Sequence, residues 1–145
     1  MRGLFRTACA ATMVVSLGLC AGAELSAQYA GWKIPEDGEH ERSPLRASGD
    51  AVSRGRTLYA ANCSGCHGLS GKGDGPSSNH AADLADPYRV ELNPEGVLFY
   101  KIWYGHAVSL REAKFDMPSF EGKLSRDEVW TVVEFVKTLR APMGR

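Results

Sequence analysis

The chain has no excess charge of either sign: 17 lysines and arginines stand against 17 aspartates and glutamates in 145 residues. That balance removes the electrostatic basis for nucleic-acid binding, which needs a concentrated positive face. No apolar run reaches the about 20 residues of a membrane-spanning helix. Convincing strand alternation is missing, as are internal repeats and low-complexity tracts. Cysteine and methionine are scarce, with four of each. What is present, 43% hydrophobic and 23% charged residues, suits one globular domain rather than a disordered tail. The chain is too short for two ordinary domains.

The first residues read as an address. Arg2 and Arg6 precede an apolar stretch from about Thr7 to Ala23, and Ala21-Gly22-Ala23 offers a small-x-small cleavage site. This is the layout of a secretory signal peptide over residues 1–23, or to 27 if cleavage follows Ala27. An uncleaved membrane anchor is the minor alternative. Cleavage removes Cys9, Cys20, Met1 and Met13, so Cys63, Cys66, Met117 and Met143 remain. It also removes Arg2 and Arg6, which takes the balance from zero to −2.

Residues 28–47 form an extended arm, polar and broken by Pro35, Gly38 and Pro44. Tyr29, Trp32 and Ile34 are placed to pin it to the domain, and a mobile tail is the equal alternative. The domain proper spans 48–141. A first helix runs from Asp50 to Asn62, with Ser48 or Asp50 as its N-cap. A glycine-rich loop follows, Gly68 to Pro76, then an irregular stretch containing Pro87. Asn93-Pro94-Glu95 predicts a second helix capped by Asn93 and stopping at Gly105. Ser125 to Glu128 is a capping box, and Val129, Val132, Val133, Val136 and Leu139 recur at helical spacing behind it. The fold class is all-α with long loops.

Cys63-Ser64-Gly65-Cys66-His67 is C-x-x-C-H, the attachment signature of a c-type haem. Each thiol adds to one porphyrin vinyl group, and the adjacent histidine is then held under the iron. Zinc needs four ligands, and no second cysteine pair follows the signal peptide. A thioredoxin-type pair belongs beside a βαβ pattern, which is absent. The run Gly71-Lys72-Gly73-Asp74-Gly75 is not a phosphate-binding loop, because its spacing is wrong and no Ser or Thr follows the lysine.

The order of this motif with Gly55-to-Asn62 before it, Gly73-Asp74-Gly75-Pro76 after it, and then Met117-Pro118-Ser119-Phe120 and a Trp130-bearing last helix resembles the class I bacterial cytochromes c. The resemblance covers about Ser48 to Leu139 and is closest to the small periplasmic branch that includes the cbb3-type oxidase domains. It implies a cytochrome c fold with helices wrapped around one covalent haem. It also implies a carbonyl in the following loop, assigned to Pro76 with Pro87 second, as acceptor for the other ring nitrogen of His67. Related cytochromes cross their first and last helices at a glycine/aromatic pair, here Gly55 and Tyr59, with Trp130, Val133 and Phe135 as candidates opposite. Trp103 is either a core residue or a donor to a haem propionate.

The distal ligand follows by elimination and by the same resemblance. Met143 lies past Pro142 beside the terminus, whereas Met117 sits in a loop able to fold over the distal haem face. Thioether sulfur raises the reduction potential. His80, His106 and the more remote His40 are the rivals. With His67 and Met117 on the iron, the expected function is one-electron transfer in the periplasm, not catalysis. A donor and an acceptor, an oxidase or a dehydrogenase, are the expected partners of a monomer without stable membrane insertion. The alternatives are a redox module docked to a larger complex, with the arm as a docking or packing element, and a haem enzyme or sensor whose methionine leaves. Lys72, Arg89, Lys101, Arg111 and Lys114 are candidates for a docking patch, against a solvated mixed-charge surface.

Overall fold

The computed structural model describes Tyr29 and residues 31–45, 48–78, 81–88, 93–106 and 117–140. The segment 1–27 read as a signal peptide, and His80, Arg89, Arg111, Lys114, Pro142 and Met143, lie outside these residues. Among them the chain forms α1 (Gly49–Asn62), α2 (Ser64–His67), α3 (Glu95–Tyr104) and α4 (Arg126–Leu139). No strand forms among the described residues, and only isolated bridges pair Trp32 with His106 and Glu121 with Leu124. The all-α expectation holds.

Each helix begins where its sequence supplies an acceptor or a stop. The Ser48 hydroxyl accepts the Ala51 N–H at 3.2 Å, and Asp50 faces the positive end of the α1 dipole. The α4 capping box closes in both directions: Ser125 Oγ takes the Glu128 N–H, and the Glu128 carboxylate takes the Ser125 N–H at 2.8 Å. Helix α3 differs from expectation. Its N-cap is Pro94, and Asn93 makes no cap. The Asn93 side-chain carbonyl instead accepts from Lys101 Nζ at 2.6 Å. A charged donor makes the stronger hydrogen bond and outcompetes a backbone amide. Gly105, at φ +67°, ends α3.

Helices α1 and α4 cross at Gly55. A Cβ there would overlap the Thr131 carbonyl oxygen and lie 2.8 Å from Phe135 Cβ. The Tyr59 ring meets Phe135 at 5.1 Å, and its hydroxyl donates to the Gly68 carbonyl at 2.8 Å. Gly55 and Tyr59 thus face Thr131 and Phe135, one turn apart on α4. Trp130 is not their partner. Five residues before Phe135, it lies well round the helix and stacks on Phe99 of α3 at 4.4 Å. Phe99, Val97, Val129, Val132 and Val133 are fully buried in the core between α3 and α4.

Over its described residues the arm is fastened to the domain. Tyr29 is buried. Glu41 accepts from the Tyr100 hydroxyl at 2.5 Å and from Arg126 at 3.1 Å. The Ser43 N–H donates to Glu95 at 3.2 Å. Lys137 also binds Glu95, at 2.8 Å, and the buried Glu134 at 3.0 Å, so that the Glu95 carboxylate ties arm, α3 and α4 together. Gly96 allows the arm to lie on the first turn of α3, since a Cβ there would overlap the Gly38 carbonyl.

Candidate haem site

The C-x-x-C-H motif folds as a single helical turn. Cys63 caps α1, donating its N–H to the Tyr59 carbonyl at 2.8 Å, and its own carbonyl accepts from Cys66 and His67 at 3.1 and 2.9 Å. Three-residue spacing on that turn keeps the thiols near one another, and both are free. Cys63 is partly buried and Cys66 exposed. Burial, then the neighbouring Cys66, pushes the Cys63 thiol up to about 12, so it is protonated.

The glycine-rich loop folds back over this turn. The N–H groups of Gly73, Gly75 and Ser77 donate to the carbonyls of His67, Cys66 and Gly65 at 2.9, 3.1 and 2.7 Å. A Cβ on Gly75 would overlap the Gly65 carbonyl oxygen, so only glycine permits the approach. Pro76, between two of these donors, belongs to the wall behind the motif. The carbonyl that meets His67 is that of Ala82, 3.0 Å from Nδ1, and neither Pro76 nor Pro87 has this role. The loop at 73–77 is committed to α2, and the chain reaches the imidazole only on its return, where the Leu84 N–H donates to the Gly71 carbonyl at 2.6 Å. Because a carbonyl only accepts, His67 carries its proton on Nδ1, and the Nε2 lone pair is available to a metal.

An apolar cavity opens between α1, α3, α4 and these loops. Its empty space, open mouth included, is about 850 Å³. Cys63, His67 and Met117 line it, with Tyr59 and Leu84, and with Leu98 and Ile102 of α3 facing Val132 and Val136 of α4. Cys66 is not in the lining. His106 lies outside the lining too, its ring against Trp32 at 4.5 Å, and His40 sits exposed beside Glu39 on the arm.

Met117 is placed by its backbone. The His106 N–H donates to the Met117 carbonyl at 2.9 Å. Just beyond, Ser119 Oγ donates to the Trp103 carbonyl at 2.8 Å, and the Phe120 N–H reaches the end of α3 at 3.2 Å. Gly105 lets this segment lie flat on α3: a Cβ there would sit 2.5 Å from the Met117 carbonyl oxygen and 2.6 Å from the Ser119 nitrogen.

The polar part of the lining was not legible in the sequence. Lys101 and Arg140 converge on Asn93, the first at its side chain and the second at its carbonyl, 3.4 and 3.5 Å away. Arg140 Nε is buried with no hydrogen-bond partner, and burial lowers the pKa of the guanidinium. An orphaned cationic donor beside an apolar slot fits a porphyrin, which is flat and apolar but carries two carboxylates. The donor set fits as well: two free thiols, an imidazole with a free Nε2, and a thioether. The tryptophan in the lining is Trp32 of the arm. Trp103 stacks on Phe99 at 5.9 Å beneath Arg126 and takes the core role, because one residue past Ile102 turns it about 100° away from the cavity.

Comparison with known proteins identifies the family and the fold. The Cytochrome c family model matches residues 52–140. No curated protein matches the chain in sequence. Among solved structures, a reducing HAO-like protein complex of Kuenenia stuttgartiensis is similar with TM-score 0.57 and 26% identity, covering 68% of this chain. This chain spans only 47% of that protein. Cytochrome cL of Methylophaga aminisulfidivorans shares the fold with TM-score 0.51 and 20% identity, over 86% of this chain and 72% of its own. Cytochrome cL of Hyphomicrobium denitrificans does so with TM-score 0.50 and 20% identity, over 74% and 64%. The chain belongs to the Cytochrome c family, and its cofactor is a covalently attached haem c.

Proposed function

We propose that the protein is a periplasmic one-electron carrier whose haem iron is held between His67 and Met117. The observation that carries the reading is that both side chains line one apolar cavity with Cys63, while Nδ1 of His67 is committed to the Ala82 carbonyl. When bound, the haem supplies a one-electron iron couple. Cys63 and Cys66 would tether it, and His67, oriented by the Ala82 carbonyl at Nδ1, would offer Nε2 to the iron. Met117 offers a thioether, which favours the reduced iron. Leu98, Ile102, Val132 and Val136 would exclude water from it, and Arg140 and Lys101 are the cations in the lining that would hold its propionates. With both ligands in place the iron would have no position open to a substrate, and the chemistry supplied would be electron exchange. The charged N-terminus and short apolar stretch at 1–23 support export. No helix among the described residues is long and apolar enough to cross a membrane.

A redox module within a larger assembly is the second reading. It is favoured by the likeness to part of a protein complex, of whose chain this one spans about half. In that case the described arm serves as packing rather than as a projecting docking element.

The test is the exported protein from a cell competent in haem attachment. The expected product is heavier by one haem and shows the weak near-infrared sulfur–iron absorbance in its ferric state. Met117→Ala abolishes that band and lowers the potential. Retention of both refutes the ligand assignment. Carbon monoxide binding to the reduced wild type at neutral pH would favour an enzyme or sensor instead. Co-purification with a partner from native membranes, against a free monomer on gel filtration, separates module from carrier.

A further inference from the structure

The arm reaches the distal side of the cavity through one residue. Trp32 lines the cavity that Met117 also lines. Its backbone forms an antiparallel bridge with His106, and its ring lies 4.5 Å from the His106 ring at 48°. His106 is the residue whose N–H holds the Met117 carbonyl, at 2.9 Å. Gly31 makes the approach possible: at φ +82° it adopts a backbone that favours glycine, and a Cβ there would sit 2.5 Å from His106 Nε2.

Trp32 is itself held. Its N–H donates to the Tyr29 carbonyl at 2.8 Å, and Tyr29 is 5% exposed. The Lys101 ammonium lies 4.7 Å over the indole and 5.6 Å over the Tyr29 ring. The segment after Met117 is fastened to α3 by Ser119 and Phe120. Among the described residues, the Met117 backbone itself is fastened by His106, and behind His106 stands the arm.

We propose that Trp32 is a positioning residue for the distal ligand: the arm is a strap that clamps His106 and through it keeps Met117 seated. This rests on the His67/Met117 reading. An iron ligand supplied by a loop is in equilibrium with a detached form, and an external ligand binds only the detached form. Its apparent affinity therefore scales with the detached fraction. The strap lowers that fraction. Removing the indole loses the aromatic contact and loosens the amide that fixes Met117, which together raise the detached population about tenfold.

The experiment titrates imidazole into the ferric holoprotein and follows loss of the near-infrared sulfur–iron band. Wild type is expected to show the band and to bind imidazole weakly. Trp32→Ala is expected to bind it about tenfold more tightly. Trp32→Phe, which keeps a ring against His106, stays within about threefold of wild type. If Trp32→Ala yields no holoprotein, Trp32→Leu keeps apolar bulk without the ring and carries the same expectation. Wild type with the band, and unchanged imidazole affinity in the ring-deficient variant, overturns the clamp alone. Equal tightening in Trp32→Phe also overturns it, since the aromatic contact would then be immaterial. A wild type without the band overturns the ligand reading and the clamp with it.

Discussion

Replacing Gly55 by alanine tests the helix crossing on which the cavity is built. On an exposed helix face this change stabilises by up to about 1 kcal/mol, because alanine is the better helix former. Here the added methyl overlaps the Thr131 carbonyl oxygen and sits 2.8 Å from Phe135 Cβ. Neither is the end of a flexible side chain, so the helices themselves have to part. Overpacking of this kind costs about 1–3 kcal/mol, and the backbone contact puts it at the upper end. Subtracting the propensity gain leaves a loss of about 2 kcal/mol. For a domain of this size that lowers the thermal midpoint by about 10 °C. Far-ultraviolet circular dichroism of the ferric holoprotein is the assay. Gly49→Ala is the paired control, since a Cβ at Gly49 meets nothing within 4 Å, and its midpoint is expected to stay or rise. Equal midpoints for Gly55→Ala and wild type would refute the crossing.

Two further predictions concern the same framework. Tyr59→Phe leaves the Gly68 carbonyl without the buried phenol that donates to it at 2.8 Å. It is expected to cost about 1–3 kcal/mol, read as a lower denaturant midpoint at unchanged slope, and an unmoved midpoint counts against that bond. Burial pushes the Glu95 carboxyl up, but hydrogen bonds from Lys137 and the Ser43 amide, with the charges of Lys137 and Arg42, bring it below its ordinary 4.5 overall. A depressed carboxyl contributes stability above its unfolded value and loses it as pH falls through the folded value. Unfolding free energy is therefore expected to fall as acid is added below about pH 4.5. Glu95→Gln should be less stable at pH 7 and lose less on acidification; parallel pH profiles for the two proteins would contradict this.

The parts legible in the sequence were those whose residues are close neighbours along it. C-x-x-C-H needs one helical turn, and that turn forms at Ser64–His67. The Ser125–Glu128 capping box closes within four residues. Gly55 and Tyr59 are one turn apart and pack together against Thr131 and Phe135. The misreadings involve partners separated along the chain. Pro76 gave way to Ala82 because the loop before it is spent on capping α2. Trp103 takes the core role, one of its two readings, and the tryptophan that reaches the cavity is Trp32 of the remote arm, because the face of a helix that meets a cavity depends on what packs against the other faces. Asn93 looked like a cap until Lys101 claimed its side chain. Arg140 carried one weak signal, a cation at a helix C-terminus, which ordinarily only complements the dipole.

Short-range structure, then, was decided by the chain's order alone: the single turn of the C-x-x-C-H motif and the capped starts of α1 and α4 follow from bonds that span a single turn. Tertiary structure decided what surrounds the cofactor: which carbonyl orients His67, which cations meet at the polar lining, and that the N-terminal arm lies against the distal loop. The physical reason is that contacts between remote segments depend on how several faces are buried at once, and no local pattern encodes that competition.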